Sequence, residues 1–414
     1  MPQVAATPTA AQQYAAAMQQ NELAKQMIRN QAIEMYTQLA PVALSSSANN
    51  AGMVVNINPR NVGLVKGFFV EFSAVINNGN ASAAVTPTNL NVANFFSNIT
   101  FIDLQNNVRI NVPGYQLVFL NTLKQKNPFA SAFVGGSSVI DCPVKYGSNT
   151  TGTVLGAAST DNIWNAPSTI AHAATGVITG MIWIPLAYSD HDYRGAYYAN
   201  VINGQAVIQL TVTPAPFYLS GGNQMTTMYG PADSATTCTI TSTTIQVTQV
   251  YMDQLPIDPR SGLPILPQRD ISTIYELKNT TFTSAPPNSD FFMQYPNFRD
   301  VISSTVLFDN LTSPPSVGNI TNYFSLQAAN STNIFKRTAG LNQAIVRNIL
   351  GFDLPTGITY FSYRNKPLST TQYGNLQLIF NPNSNWALSY SIYHCWESFA
   401  SIATINQAGS LSAG

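Results

Sequence analysis

Between Leu255 and Pro267 the chain carries four prolines in twelve residues, at positions 256, 259, 264 and 267. Proline fixes its own φ and has no N–H to give to a ladder. No regular helix or central strand can run through this segment. It reads as a stiff connection that fixes the relative orientation of what it joins. On both sides the chain has the same texture: short runs rich in Val, Ile, Phe, Tyr and Thr, separated by Gly, Pro and Asn, which is the pattern of strands. Before the prolines the runs are Met53–Ile57, Gly63–Ile76, Phe95–Leu104, Val108–Val112, Gly176–Ala187, Ala206–Thr213 and Thr237–Met252. After them come Ile271–Leu277, Phe291–Tyr295, Val301–Asp309, Ile320–Leu326, Ile358–Tyr363, Leu376–Asn381 and Trp386–Trp396.

One helical stretch interrupts each half. Gly114–Gln125 has helical spacing at Leu117, Leu120 and Leu123, and Thr338–Leu350 has Leu341, Ile345 and Ile349 four apart. The halves also echo each other in order. Ala174–Thr179 resembles Pro355–Thr359, and Gln209–Pro214 resembles Gln377–Pro382. Strands at this spacing predict antiparallel sandwiches rather than βαβ units. The expected fold is all-β: two eight-stranded jelly rolls in one chain, a double jelly roll, with one inserted helix per half. The expected divisions are an arm at 1–50, a first roll at 51–254, the linker at 255–268, a second roll at 269–400 and a tail at 401–414. The stretches 148–160 and 219–235 read as surface loops.

The first fifty residues differ from the rest, being rich in Ala, Gln and Met. From Thr9 to Ala40 there is no proline, and Pro41 is a stop signal. Ala17, Ala24, Ile28, Ala32, Met35 and Leu39 fall on one helical stripe, with Lys25 and Arg29 together beside it. This predicts an amphipathic helix over roughly 10–40, about 45 Å long, followed by a flexible joint at Ser45–Asn50. Half of the stripe is alanine, so docking would gain only about a few kcal/mol. Such an arm could clamp a neighbour or a membrane surface through Ala24, Lys25, Ile28, Arg29, Met35 and Leu39. The other reading is a helix packed on its own domain.

Charge narrows the function classes. Charged residues are 9% of the chain and net charge is +0, against about 25% charged in ordinary soluble domains. A nucleic-acid condenser would be basic. A multispanning membrane protein would show apolar runs of about 18 residues or more. Neutral polar faces favour association with other protein. The three cysteines, Cys142, Cys238 and Cys395, are odd in number and far apart. They suit buried thiols made in a reducing compartment better than a disulfide framework. His191, between Asp190 and Asp192, reads as part of a solvated turn. His394 and Cys395 are adjacent on a strand run and would point to opposite faces. No Walker loop, GxGxxG after a strand, HExxH or GxSxG occurs. No catalytic residue, cofactor or metal site is expected.

Several longer segments resemble the major capsid proteins of the tectiviruses, tailless bacteriophages with a membrane inside the protein shell. They are Asn61-Val62-Gly63-Leu64-Val65-Lys66-Gly67-Phe68, Phe119–Gln125, Trp183-Ile184-Pro185-Leu186-Ala187-Tyr188-Ser189, Tyr251–Pro256, Asn365–Leu368 and Gln372–Asn375, in family order. The resemblance implies a structural subunit of the virion, synthesised in the host cytoplasm. It implies homotrimers with a pseudo-hexagonal base that tile an icosahedral shell. The implied partners are neighbouring trimers, vertex and minor capsid proteins and the inner membrane surface, without direct nucleic-acid contact. Two rival classes remain open on residues alone: a carbohydrate- or receptor-binding spike, which would use an exposed aromatic cluster, and a glycan-active enzyme, which would need paired carboxylates in a cleft.

Overall fold

The computed structural model describes residues 9–79, 84–87, 93, 95–125, 170–200, 204–213, 229–230, 238–283, 285–309, 315–329, 333–350, 354, 357–388 and 390–401. The loop expected at 148–160, Cys142 and the tail beyond 401 lie outside these residues, as does all of 219–235 except Tyr229–Gly230. Three longer helices are described: α1 (Ala10–Gln31), α2 (Gly114–Gln125) and α3 (Ala339–Leu350). Among the described residues, sixteen strands have four residues or more. In the first half these are β1 (Ile33–Gln38), β2 (Val54–Ile57), β3 (Leu64–Asn78), β4 (Phe96–Ile102), β5 (Val108–Val112), β6 (Thr175–Pro185), β7 (Val207–Val212) and β8 (Cys238–Asp253). In the second they are β9 (Thr273–Thr283), β10 (Phe291–Gln294), β11 (Asp300–Asp309), β12 (Thr321–Gln327), β13 (Asn333–Arg337), β14 (Ile358–Ser362), β15 (Gln377–Pro382) and β16 (Ser391–Ser401).

The pairing repeats with a period of eight strands. The first half has a sheet in the order β1-β8-β3-β6 and a second in the order β2-β7-β4-β5. The second half has β9-β16-β11-β14 and β10-β15-β12-β13. Raising each strand number of the first half by eight gives the second. Helices α2 and α3 fall at the same place in this repeat, after β5 and after β13. The two sequence echoes sit on equivalent strands, β6 with β14 and β7 with β15. The fold is therefore a duplicated eight-stranded β-sandwich. Among these long strands one pair is parallel. Leu277 and Lys278 of β9 register with Ile110 and Asn111 of β5. This pair fuses one sheet from each half into a single hydrogen-bonded surface.

Alternation explains the layers. Along β6, Ile178, Ile182 and Ile184 are buried while Val177, Thr179, Met181 and Trp183 face outward. The core of the first sandwich is aromatic, with Phe72 stacked on Phe95 at 4.4 Å between centroids. The second is built on Phe308, Phe324, Phe380 and Trp386, and the Trp386 Nε1 donates to the Ala285 carbonyl at 2.8 Å. The first core continues across the junction to include Tyr275, Leu307, Ile358, Tyr360 and Phe399 of the second half. Helix α2 fills that junction. Gln116 Nε2 donates to Thr305 Oγ1 at 3.3 Å, and Phe119 meets Tyr360 edge-on at 6.4 Å.

Four sequence expectations are revised. The helix expected over 10–40 ends at Gln31, where Ala32 turns extended (φ −77°, ψ 152°). Residues 33–38 form β1, paired antiparallel to β8 from Ile33↔Asp253 to Gln38↔Thr248. The free edge of β8 captures this segment, so residues 33–38 of the expected helix are instead the remaining strand of the first sandwich. The joint at 45–50 is pinned at its end: Asn50 is buried, and its Nδ2 donates to Thr243 Oγ1 at 3.1 Å. The run at 386–396 starts as a turn and becomes a strand only at Ser391. The edge strand β13 was absent from the expected set. The proline segment folds back on itself through an Ile257–Pro264 bridge. Asp258 closes the turn, accepting from Ser261 Oγ at 2.8 Å.

Candidate functional site

The arm begins with a capping box. Thr9 Oγ1 accepts from the Gln12 N–H at 3.3 Å, and Gln12 Oε1 accepts from the Thr9 N–H at 2.9 Å, which satisfies two orphan donors of the first turn. From Ala11 to Gln20 every residue of α1 is exposed, a stretch of about 15 Å. Over these turns the body meets the helix through Arg269, which contacts Tyr14 and Met18. Burial starts at Asn21. Ile28 is fully buried against Leu64, Ala187, Tyr193, Ala196 and Met252, and Ala24 is buried beside it.

Polar contacts fix the docked half in place. Asn21 Nδ2 donates to Asp270 Oδ1 at 2.8 Å. Asn21 Oδ1 accepts from the N–H groups of Arg269 at 3.1 Å and Asp270 at 3.3 Å. Asp270 is itself buried; its Oδ2 takes the Tyr193 N–H at 3.1 Å and lies 3.4 Å from Lys25 Nζ. Burial works against the charge on Lys25, but Glu22 at 2.6 Å and Asp270 outweigh it and raise its pKa. Arg29 Nη2 donates to the His191 carbonyl at 2.8 Å. Arg269 reaches back along α1, donating to Tyr14 OH at 2.7 Å with its guanidinium 4.5 Å from that ring.

A second clamp holds β1. Lys66 on β3 is buried, and its Nζ lies 2.5 Å from Glu34 Oε2 and 3.3 Å from Asp190 Oδ1. Burial alone would raise the Glu34 carboxyl. The Lys66 ammonium and the Tyr36 hydroxyl bonded to it hold it below the usual glutamate range. Burial likewise opposes the Lys66 charge, and its two carboxylates raise it. The same bond to Glu34 pushes the Tyr36 hydroxyl up to about 12.

The six expected arm residues therefore divide. Ala24, Lys25, Ile28 and Arg29 share the docked face of α1. Met35 and Leu39 are on or beside β1, where Met35 is exposed and Leu39 joins the first core. Sequence reasoning missed Asn21, Asp270, Lys66 and Glu34. Lys66 had a signal, since it lies inside the Asn61–Phe68 segment singled out above. His191 sits exposed in the 189–192 turn. His394 is buried against Tyr295 and Trp396, where desolvation pushes its imidazole down to about 3. Cys395 lies 3.3 Å from Asn279 Oδ1 on the neighbouring strand β9, and burial raises its thiol. Burial likewise pushes Cys238 up to about 12. His394, Cys238 and Cys395 are buried packing groups.

Comparison with known proteins agrees with this architecture. The family model P3 major capsid protein N-terminal matches residues 2–255, and P3 major capsid protein C-terminal matches residues 272–413. The interval between the matches is the proline segment with the helical turn that carries Asp270. Major capsid protein P3 of Enterobacteria phage PRD1 is 34% identical over 401 residues, 96% of this chain and 95% of that protein. Among solved structures, the STIV MCP superposes with a TM-score of 0.59 at 12% identity, covering 89% of this chain and 97% of its own. The Faustovirus major capsid protein does so at 0.51 and 10%, covering 89% and 90%. Both likenesses concern the fold, the double jelly roll. The chain belongs to the P3 major capsid protein family, and its role is structural, that of a viral capsid subunit rather than a spike or an enzyme.

Proposed function

We propose that three copies of this chain form a pseudo-hexagonal homotrimer, and that such trimers tile an icosahedral shell around an internal membrane. The observation that carries this reading is the eight-strand repeat. One chain presents two near-equivalent sandwiches side by side, so three chains present six. Contacts within the trimer would be large and apolar. Contacts between trimers would be weaker singly and secured by multiplicity. Neighbouring trimers, vertex proteins and minor capsid proteins are the proposed partners.

In this reading the exposed turns of α1 are the adaptable part. Residues 11–20 carry Tyr14 and Met18 on the same side as the docked Asn21, Ala24 and Ile28, so the stripe continues beyond the buried part of the helix and stays exposed beside Arg269. A neighbouring subunit or the membrane surface would cover it. Light scattering on the purified full chain tests the trimer; a persistent monomer overturns it. A deletion of residues 1–20 tests the arm. It spares Asn21 and β1, whereas a deletion through residue 40 would also remove a sheet strand. The expected outcome is folded trimers with impaired shells or membrane attachment. Normal yields of intact virions would reject the arm's role.

A further inference from the structure

We propose that the apolar stripe Leu341–Ile345–Ile349 on α3 docks on a second copy of this chain, against the outward face of β3 and β6 in that copy's first sandwich. The proposal rests on the trimer reading above and assigns the surfaces that would make it.

The stripe has the spacing expected of a core face, yet it is not one. Leu341 is 51% and Ile349 49% exposed, and Ile345 is half-buried. Helix α3 instead turns Ala339, Asn342 and Val346 inward, and Asn342 Nδ2 donates to Thr359 Oγ1 at 2.9 Å. A clustered set of large exposed aliphatic side chains on a rigid helix marks an interaction surface more often than chance exposure does.

The repeat says what covers it. Helix α2 packs on β4 and β6 of its own sandwich, and α3 packs on the equivalent β12 and β14. The outer side of α2 is covered within the chain by the second sandwich, through Thr305 on β11 and Tyr360 on β14. From Gly114 to Leu120 all of its residues are buried. The strands equivalent to β11 and β14 in the first sandwich are β3 and β6. Their outward face is mixed and partly open: Phe69, Val75, Met181 and Trp183 are half-buried and Val177 is 49% exposed, with Ser73, Thr179 and the exposed Glu71 between them. Phe69 and Trp183 lie 4.5 Å apart at their centroids. Gly67 leaves room for that ring, since a Cβ there would stand 2.5 Å from it. Within one chain Leu341 and Ile349 of the stripe remain exposed, and the sheet face stays half-buried with Val177 exposed. A second copy brings them together by repeating the relation that α2 already has to the second sandwich. Such a head-to-tail contact closes when its rotation closes.

Two variants test this on the full chain. Leu341→Asp should keep the wild-type circular dichroism and shift trimer dissociation to at least about ten-fold higher concentration. A Leu341→Cys/Val177→Cys double variant, oxidised, should give covalently linked chains on a denaturing gel, with neither single variant doing so. Trimers that persist in Leu341→Asp and yield no linked chains in the cysteine pair would overturn this assignment and leave the trimer reading intact. A monomeric wild type would overturn both.

Discussion

Asn21 and Asp270 are 249 positions apart in sequence, and their side chains meet at 2.8 Å. The carboxamide donates a hydrogen bond to the carboxylate and accepts two from the backbone around it, so the pair is satisfied in both directions. It joins the point where α1 leaves the body to the residues just after the proline segment. Removing one partner strands the other in a buried place. Asp270→Ala is expected to cost about 3 kcal/mol and Asn21→Ala about 1–2 kcal/mol. Both should raise amide exchange across residues 10–31 while β3 and β8 stay protected. Unchanged exchange in α1 would refute the role of the pair.

The Lys66 clamp predicts a pH dependence in β1. Glu34 has a lowered pKa, so its contribution is present above the ordinary glutamate value and is lost as pH falls through the lowered one. Protection of amides 33–38 should therefore weaken in acid before that of the central strands. Lys66→Met should abolish this difference and cost about 2 kcal/mol, less than a fully buried pair because the Glu34 side chain is 33% exposed.

His394 predicts a second, global dependence. Its pKa is pushed down to about 3 in the fold, against about 6.5 in an unfolded chain. Between those values the unfolded state binds a proton that the folded state refuses. Stability is complete above the unfolded value and falls as the solution is acidified toward 3. The single group contributes a slope of about 1.4 kcal/mol per pH unit. Denaturant titrations at pH 6 and pH 4 should show His394→Gln losing less stability than wild type, by about 2–3 kcal/mol over the two units.

Gly195 lies at φ +92°, and a Cβ there would stand 2.2 Å from the Leu186 carbonyl oxygen. Its N–H donates to the Thr273 carbonyl at 2.9 Å, and its carbonyl accepts from Arg109 Nη1 at 2.9 Å. Gly195→Ala meets backbone on both counts of space and φ. The expected loss is about 3 kcal/mol or more, read as a lowered Tm or insoluble expression.

The strands were legible where Val, Ile and aromatic residues recur between turn formers, as in β3, β6 and β8. The proline segment was legible for the same local reason. The boundary between α1 and β1 was not. Met35 and Leu39 continue the three-to-four-residue spacing of Ala24, Ile28 and Ala32, so periodicity alone extends the helix. What ends it is the unpaired edge of β8, more than two hundred residues away. β13, Asn-Ile-Phe-Lys-Arg, is an edge strand with little to bury, and its composition carries no strand signal. Within the arm, Ile28 and Ala24 announced the docked face through spacing. Asn21 and Asp270 could not, because a buried polar pair is defined by its partner rather than by its neighbours in sequence.

The two parallel rungs between β5 and β9 have a mechanical consequence. They run main-chain hydrogen bonding straight from one sandwich into the other, with α2 wedged alongside. The halves cannot hinge against each other without breaking backbone bonds and opening a packed seam. A container assembled from such tiles has to take its curvature at the joints between them, and stress on the wall passes through each tile as through a stiff plate.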